Sequence, residues 1–533
     1  MSEPPTDVFS PAPGATHPPA PEPSPEPRKV IAAPVPALAD RTFPNLTPLF
    51  MVLAGLMMSG LIISFPGLTY TVNDASRWNT VYYLVEHGTY RYKMDHGAGW
   101  NVRRRDVDPE QVTPEERAKL IKVTMDGETR YFRDGELLYM PLFPTIDMIK
   151  IGENYYSSKP PLLPTIMAGI VIGIEKTSAL LGRVFHYPGQ TDSGPLGPID
   201  FRTHPWAIIR TTLILLQVVP LMIFIGLMGR WIMQRTENAF VRVFCLVAAA
   251  MGTYLTPWTV TLNNHVIGAF CVLFGLYPAL KVWYEGRREW YWFALAGFFS
   301  SLAATNELPA LMVTATVLLA LGIRDWKRTV LIALPLAILP LASLAYTNYL
   351  VTGSWRPAYE GFGRVGGPYD YEGSYWPPRG KPKGIDALNE PSSVYLTNIL
   401  IGHHGFFLLT PIFLISFLGV LRQFTGRRDT RPLLALFTLT ATAVLVWFYT
   451  FFTSESKNYG GTTQGARWLF WLIPLWLLML PAGVEPLARS RLGRGVCCVL
   501  LGVSMISVGC AIRQPWGASW AHLLWRALGI IDY

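Results

Sequence analysis

From residue 47 to the C-terminus the chain alternates long apolar runs with short polar breaks. The first run, "LFMVLAGLMMSGLIISFPGL", is about 20 residues, enough to cross the hydrocarbon core of a bilayer as a helix. Runs of this kind predict spans at roughly 47–67, 206–229, 240–260, 265–283, 290–304, 308–323, 329–351, 405–421, 432–452, 467–486 and 495–512. The pattern is that of an all-α polytopic membrane protein with about 11 transmembrane helices. One run, "PLLPTIMAGIVIGI", ends after about 14 residues at Glu175 and Lys176, which is short for a span. It reads as an interfacial or re-entrant helix at 160–174.

The polar breaks divide into two kinds. Arg28, Lys29 and Arg41 precede the first span. Arg230, Arg235 and Arg242 flank the break after the second, and Arg287 and Arg288 follow the fourth. Arg324, Lys327 and Arg328 follow the sixth, Arg422, Arg427, Arg428 and Arg431 the eighth, and Arg489, Arg491 and Arg494 the tenth. Every second break is basic, which places these breaks and the N-terminus on the cytoplasmic side. Counting 160–174 as a span would invert the pattern. The outer side then holds a large first loop, 67–205, and a second, 352–404. Within the first loop, 93–150 is a small polar insert. Its segment "KVTMDGETRYFRDGELLYM" carries two Asp-Gly pairs between alternating residues, predicting short hairpins.

Composition adds three points. Residues 1–44 are rich in Pro, Ser, Ala and Glu and read as a disordered cytoplasmic tail, leaving 45–351 as the main membrane region and 405–533 as the C-terminal helices. The net charge of +9 over 533 residues is spread over the inter-span clusters and implies no nucleic acid. The five cysteines lie in or at the ends of apolar runs, and form neither a disulfide framework nor a CxxC pair.

Outer segments carry polar residues that a plain span avoids. "TVNDASRW" supplies Asp74 and Arg77. "TLNNHV" supplies Asn263, Asn264 and His265. "TNELP" supplies Asn306 and Glu307. "GHHGFF" supplies His403 and His404, and "ESKNYGGTTQGARW" supplies Lys457 and Arg467. Taken singly, Asp74 reads as a solvated loop acid or a helix cap, Arg77, Lys457 and Arg467 as snorkelling anchors, His265 as a hydrogen-bonded turn residue, and Asn306 and Glu307 as the start of the next helix. Tyr82, Tyr83, Tyr155 and Tyr156 fit an interfacial aromatic belt. Taken together, ionisable groups at membrane entry points on one side predict one outward-facing polar cavity. An acid among several cations there suits transfer from an amphipathic phosphate donor. The cations neutralise the phosphate and the acid deprotonates an acceptor. Beside arginine, that acid is expected to stay ionised.

"NDASRWNTVYYLVEHGTY", followed later by "YYSSKPPLLP", resembles the first outer loop of the GT-C integral-membrane glycosyltransferases. The nearest group is the protein O-mannosyltransferases and the lipid A aminoarabinose transferase. The resemblance covers about 60 residues in two pieces. It implies a GT-C-type membrane fold with juxtamembrane helices in the first outer loop, and a polyprenyl-phosphate-linked sugar as donor. It implies Asp74 as catalytic base and Lys159 at the donor phosphate, with Arg77 in the place of a basic residue that follows the family's acid by three; Arg467, from the outer cations above, is expected to join them at the phosphate. Asn263, Asn264, His265, Glu307, Tyr156, His404 and Lys457 would line the pocket. The family often has Asp-Glu where this chain has Asp74-Ala75, so the second acid's role is either absent here or taken over, with Glu86 and Glu307 as candidates. The implied acceptor is a lipid, protein or glycan, no cofactor is specified, and room is left for a divalent metal. The implied place is the bacterial inner membrane with a periplasmic active site. A transporter or lipid flippase, and an O-antigen ligase, are the other classes that fit a polytopic chain.

Overall fold

The computed structural model describes residues 44–64, 71–92, 108–117, 120–125, 128–132, 145–184, 199–202, 204–380, 385, 388–425, 430–452 and 457–533. The Pro-rich tail with Arg28, Lys29 and Arg41, the second Asp-Gly pair, and Arg427 and Arg428 lie outside the described residues.

Each predicted span meets a helix. With α2, α3 and α10, which lie in the outer loops, the helices in chain order are α1 Thr47–Ser64, α2 Val72–His87, α3 Leu162–Val184, α4 Pro205–Met233, α5 Ala239–Met251, α6 Asn264–Glu285, α7 Trp290–Asn306, α8 Leu308–Arg324, α9 Trp326–Thr352, α10 Ser392–Leu400, α11 Ile412–Arg422, α12 Pro432–Phe451, α13 Arg467–Leu487 and α14 Arg491–Arg513. Among the described residues eight helices are long and apolar enough to cross a membrane, namely α1, α3, α4, α6, α9, α12, α13 and α14. The runs at α5, α8 and α11 form shorter apolar helices. For α5 and α11 the rest of the expected length is not regular α-helix; after α5 it includes the Pro257–Val260 turn, while α8 covers its whole expected run. This is a polytopic all-α membrane architecture.

α6 is the central helix. Most of its side chains are buried, from His265 to Val282, as expected of a helix apolar all round. Its two ends differ in chemistry. At the C-terminal end Arg324 lies over the Trp283 ring, Arg431 over Tyr284, and Lys281 pairs with Glu285 at 2.6 Å. At the N-terminal end stand Asn264 and His265. About 33 Å of helix therefore separates this basic end from the polar one.

The first outer loop contains α2, α3 and two small hairpins. β1 Ile121–Met125 pairs antiparallel with β2 Glu128–Phe132, as the first Asp-Gly pair predicts. β3 Met148–Ile151 pairs with β4 Asn154–Ser157 around Gly152 (φ 60°). α2 packs on α3 through Ala75, Trp78 and Val81 against Leu163, Met167 and Val171, all buried. These spacings of three and four residues make one face on each helix. Each buried Val, Leu or Met among them contributes about 1.5–3 kcal/mol.

α3 is longer than its sequence predicts. Its apolar run reaches Glu175 and Lys176, but the helix continues to Val184. The charged turn is used: Glu175 Oε1 accepts from Phe201 N at 2.9 Å and Ser178 Oγ from Ile199 N at 2.8 Å. Those residues lead into α4. Midway along α4, Gln217 Nε2 donates to the Thr261 carbonyl beside the polar end of α6 (2.7 Å). Its far end meets α13, where Trp231 donates to the Leu478 carbonyl. The Pro205 end of α4, and with it Glu175 of α3, thus lies beyond the polar end, away from the bundle interior.

Candidate active site

Asp74 is fully buried in the first turn of α2. Thr71 caps this helix, its hydroxyl accepting from Asp74 N. Asp74 Oδ2 accepts from the Thr261 hydroxyl at 2.5 Å, and Thr261 Oγ1 in turn accepts from Trp516 Nε1 at 2.9 Å. The second oxygen, Oδ1, is buried and makes no hydrogen bond among the described residues. Burial pushes the carboxyl up to about 7, against the pull of Thr261, Arg77, Thr71 and Arg467. The expectation that the acid stays ionised at neutral pH beside arginine is therefore corrected to a carboxyl only partly ionised there. Loss of water outweighs the cations here.

Arg77, one turn along α2, donates from Nη2 to Asn264 Oδ1 (2.5 Å) and from Nη1 to the Asn73 carbonyl. Burial lowers its pKa, opposed by Asp74, Asp147 and Glu307, and it remains cationic. Asn264 Nδ2 donates to Glu307 Oε1 at 2.7 Å and to the Asn306 carbonyl at 2.8 Å. His265 Nδ1 lies 2.5 Å from the same Glu307 oxygen. Arg467 Nη1 donates to His265 Nε2 at 3.3 Å, and its guanidinium lies over the Trp516 ring.

Lys159 enters from the β3–β4 hairpin. Its Nζ pairs with Asp147 Oδ2 at 3.0 Å. Asp147 directly precedes β3, and Ser157 ends β4. Ser158 N donates to the Asp147 carbonyl, and Ser76 Oγ bridges that carbonyl and Ser157 Oγ at 2.5 and 2.6 Å. Burial lowers the Lys159 ammonium, as do Arg77 and Arg467, while Asp147 raises it. Beside it a narrow cleft opens between the Ser157–Pro161 turn, Asn348 and Val351 of α9, and Tyr359 of the second outer loop.

The cluster thus unites Asp74, Arg77, Lys159, Asn264, His265, Glu307 and Arg467. Asn263 caps α6, its Oδ1 accepting from Val266 N, and its amide holds the Trp258 and Thr261 carbonyls. Glu86 is not part of the cluster: at the other end of α2 it pairs with Arg202 at 3.2 Å. Tyr156 packs with Ile149, Val351 and Tyr369. Lys457 donates to the Thr450 carbonyl. His404 stacks on Tyr459 and faces His403, with Nδ1 atoms 2.5 Å apart. Burial holds its pKa well below the usual range, with His403 and His522 adding to the effect. Among the described residues no group of three or more His, Cys, Asp or Glu side chains is placed to hold a metal.

Three contributors escaped sequence reasoning: Asp147, Thr261 and Trp516. The alternation in "DMIKIGENYYS" signals a hairpin that brings Asp147 back to Lys159. Thr261 and Trp516 carry no signal, since a Thr in "TLNNH" and a Trp near a span end are ordinary.

No protein-family model matches the chain, and no curated protein matches it. Among solved structures it is similar to two crystal structures of the Archaeoglobus fulgidus oligosaccharyltransferase. The one in complex with Zn and sulfate shows 13% identity and a TM-score of 0.41, covering 88% of this chain and 53% of that one. The apo form shows 12% identity and a TM-score of 0.42, covering 90% and 57%. The chain thus spans little more than half the length of these structures.

Proposed function

We propose that the chain is a GT-C-type membrane glycosyltransferase that moves a sugar from a polyprenyl-phosphate donor to an acceptor at the periplasmic face of a bacterial inner membrane. The observation that carries this reading is the Asp74 carboxyl, with one buried oxygen that has no hydrogen-bond partner among the described residues, set among Arg77, Lys159 and Arg467. An acceptor hydroxyl or amine attacks the anomeric carbon. The bond from that carbon to the phosphate oxygen breaks, and the proton passes to Asp74 Oδ1. The departing polyprenyl phosphate gains charge, which the three cations stabilise. A base with a pKa near neutrality matches the pH at which it works. Attack opposite the leaving group inverts the anomeric centre.

Two further features support the reading. The site stands at the end of α6 opposite the basic clusters, in keeping with an outer location if those clusters are cytoplasmic. α3 heads away from the bundle interior, which favours a helix lying along the outer surface although it is long enough to span. A transporter or flippase calls for ionisable groups near the middle of spans, whereas these lie at helix ends.

The test is transfer by the purified chain, with a panel of radiolabelled polyprenyl-phosphate sugars and cell-envelope acceptors. Asp74→Asn should abolish label transfer while donor binding persists. Transfer by Asp74→Asn at the wild-type rate would remove Asp74 as base. If the wild-type chain neither binds nor uses any lipid-phosphate sugar, the whole reading falls.

A further inference from the structure

The turn that carries Lys159 is tied to the turn that carries Asp74, and Asp147 stands where the ties meet. Thr145 Oγ1 donates to the Val72 carbonyl at 2.6 Å and accepts from Asp147 N at 3.1 Å. Ser76 Oγ donates to the Asp147 carbonyl at 2.5 Å. Its single proton is spent there, so it accepts from Ser157 Oγ at 2.6 Å. Ser157 Oγ in turn accepts from Lys159 N at 3.1 Å. Val72 and Ser76 stand two residues to either side of Asp74 at the start of α2. The main chain of Asp147 is thus fixed to both sides of the proposed base. Its side chain, 2% exposed, reaches Lys159 Nζ at 3.0 Å, while Lys159 is 22% exposed. Lys159 lines the cleft beside Asn348 and Tyr359, and Asp147 does not.

We infer that Asp147 is a positioning residue that holds the Lys159 ammonium charged and at a fixed reach from Asp74, so that the donor phosphate meets it from the cleft side. The inference rests on the proposed function for the identity of the phosphate, and not for the ion pair itself. A carboxylate beside a cation can also compete with an incoming phosphate. Two features decide against competition here. Asp147 backs the ammonium from the buried side, so a phosphate entering the cleft need not displace it. Burial also lowers the Lys159 ammonium, with Arg77 and Arg467 adding to the effect, and among its charged neighbours only Asp147 raises it. Without that carboxylate the amine would lose its proton at lower pH, and with it its hold on the phosphate. Asp147 touches no reacting atom.

The test measures binding of sugar-free polyprenyl phosphate to the detergent-purified full chain at pH 8 and pH 9.5. Asp74, near 7, is mostly ionised throughout this range. The arginines near Lys159, Arg77 and Arg467, do not titrate there. Burial pushes the Tyr371 hydroxyl up to about 12 and raises Tyr369 and Tyr359, so these phenols stay neutral. Asp147→Asn should bind roughly tenfold more weakly than wild type at pH 8, and the gap should widen to about 30-fold at pH 9.5. Adding Lys159→Arg should abolish the widening, since a guanidinium keeps its proton. In a Lys159→Gln background Asp147→Asn should no longer weaken binding. Thr145→Val, a milder change, unties Asp147 from α2 and should weaken binding about threefold at both pH values. A further readout needs no lipid. With lysines carrying isotope-labelled dimethyl groups, the Lys159 signal, assigned by its loss in Lys159→Arg, should titrate at lower pH in Asp147→Asn than in wild type. Wild-type or tighter binding by folded Asp147→Asn overturns the inference and leaves the proposed function standing. Where that variant does not fold, wild-type binding by Thr145→Val does the same. An unmoved Lys159 titration overturns it too. If the wild-type chain binds no lipid phosphate, the proposed function falls, and the Lys159 titration alone decides the role of Asp147.

Discussion

Asp74 concentrates the conflict between stability and chemistry in one side chain. Unfolded, its carboxyl ionises near 3.8; folded, near 7. Between these values the folded chain keeps a proton that the unfolded chain has lost. Stability therefore falls as pH rises through this window and levels off above it. The full difference is on the order of 4 kcal/mol. Asp74→Asn should match the wild-type unfolding midpoint at pH 4 and exceed it at pH 8, while transferring no sugar. A variant no more stable than wild type at pH 8 would show that the buried charge carries no such cost. The same pKa sets the rate profile: kcat should rise with pH through about 7. Thr261→Val removes the hydroxyl that favours the ionised form, so the rising limb should move up by roughly one pH unit. An unmoved limb would detach that limb from Asp74. From sequence alone, Asp74 and Arg77 were legible as a pair in the loop that follows the first span. That burial defeats the arginine was not, because desolvation depends on what the fold places over the carboxyl, among it Thr261 and, behind it, Trp516.

Among the elements, the β3–β4 hairpin does the most with the fewest residues. Its register pairs Met148 with Ser157 and so brings Asp147 against the Lys159 turn, twelve residues on. A slip of one residue would turn Lys159 to the other face. The register depends on a two-residue loop whose first position, Gly152, has positive φ. Gly152→Val should cost about 1–2 kcal/mol of local stability and lower transfer several-fold. The readouts are the thermal midpoint and donor KM. Wild-type values for both would mean that the Lys159 turn holds itself without the hairpin. The sequence announced Lys159 through "YYSSKPP", yet not the strand that carries it. α3 shows the opposite error. Its charged turn read as a stop because those charges lacked partners in the linear chain. In the fold, Glu175 is bonded to the segment that returns to α4.

At the scale of the whole molecule, the ends of α6 define two chemical poles. In a cysteine-free background, Glu153→Cys sits on the β3–β4 loop and Arg287→Cys in the basic break after α6; both side chains are more than half exposed. A membrane-impermeant thiol reagent should label each from one side only, and the sides should be opposite. Labelling of both from the same side would sink the two-pole topology, and with it the outer placement of the site.

The sequence by itself determined what depends on local pattern: the helices, since apolar length is enough to set them, and the basic end, since positive charge is read segment by segment. It also marked most of the polar residues that meet at the other end. The tertiary structure alone decided which of them meet. Lys457 and His404 look as suitable as Arg467 along the chain, and Glu86 as suitable as Glu307. Hydrogen bonds and burial act through space, so only the packing of α2, α6, α7 and α13 could separate the site from its look-alikes.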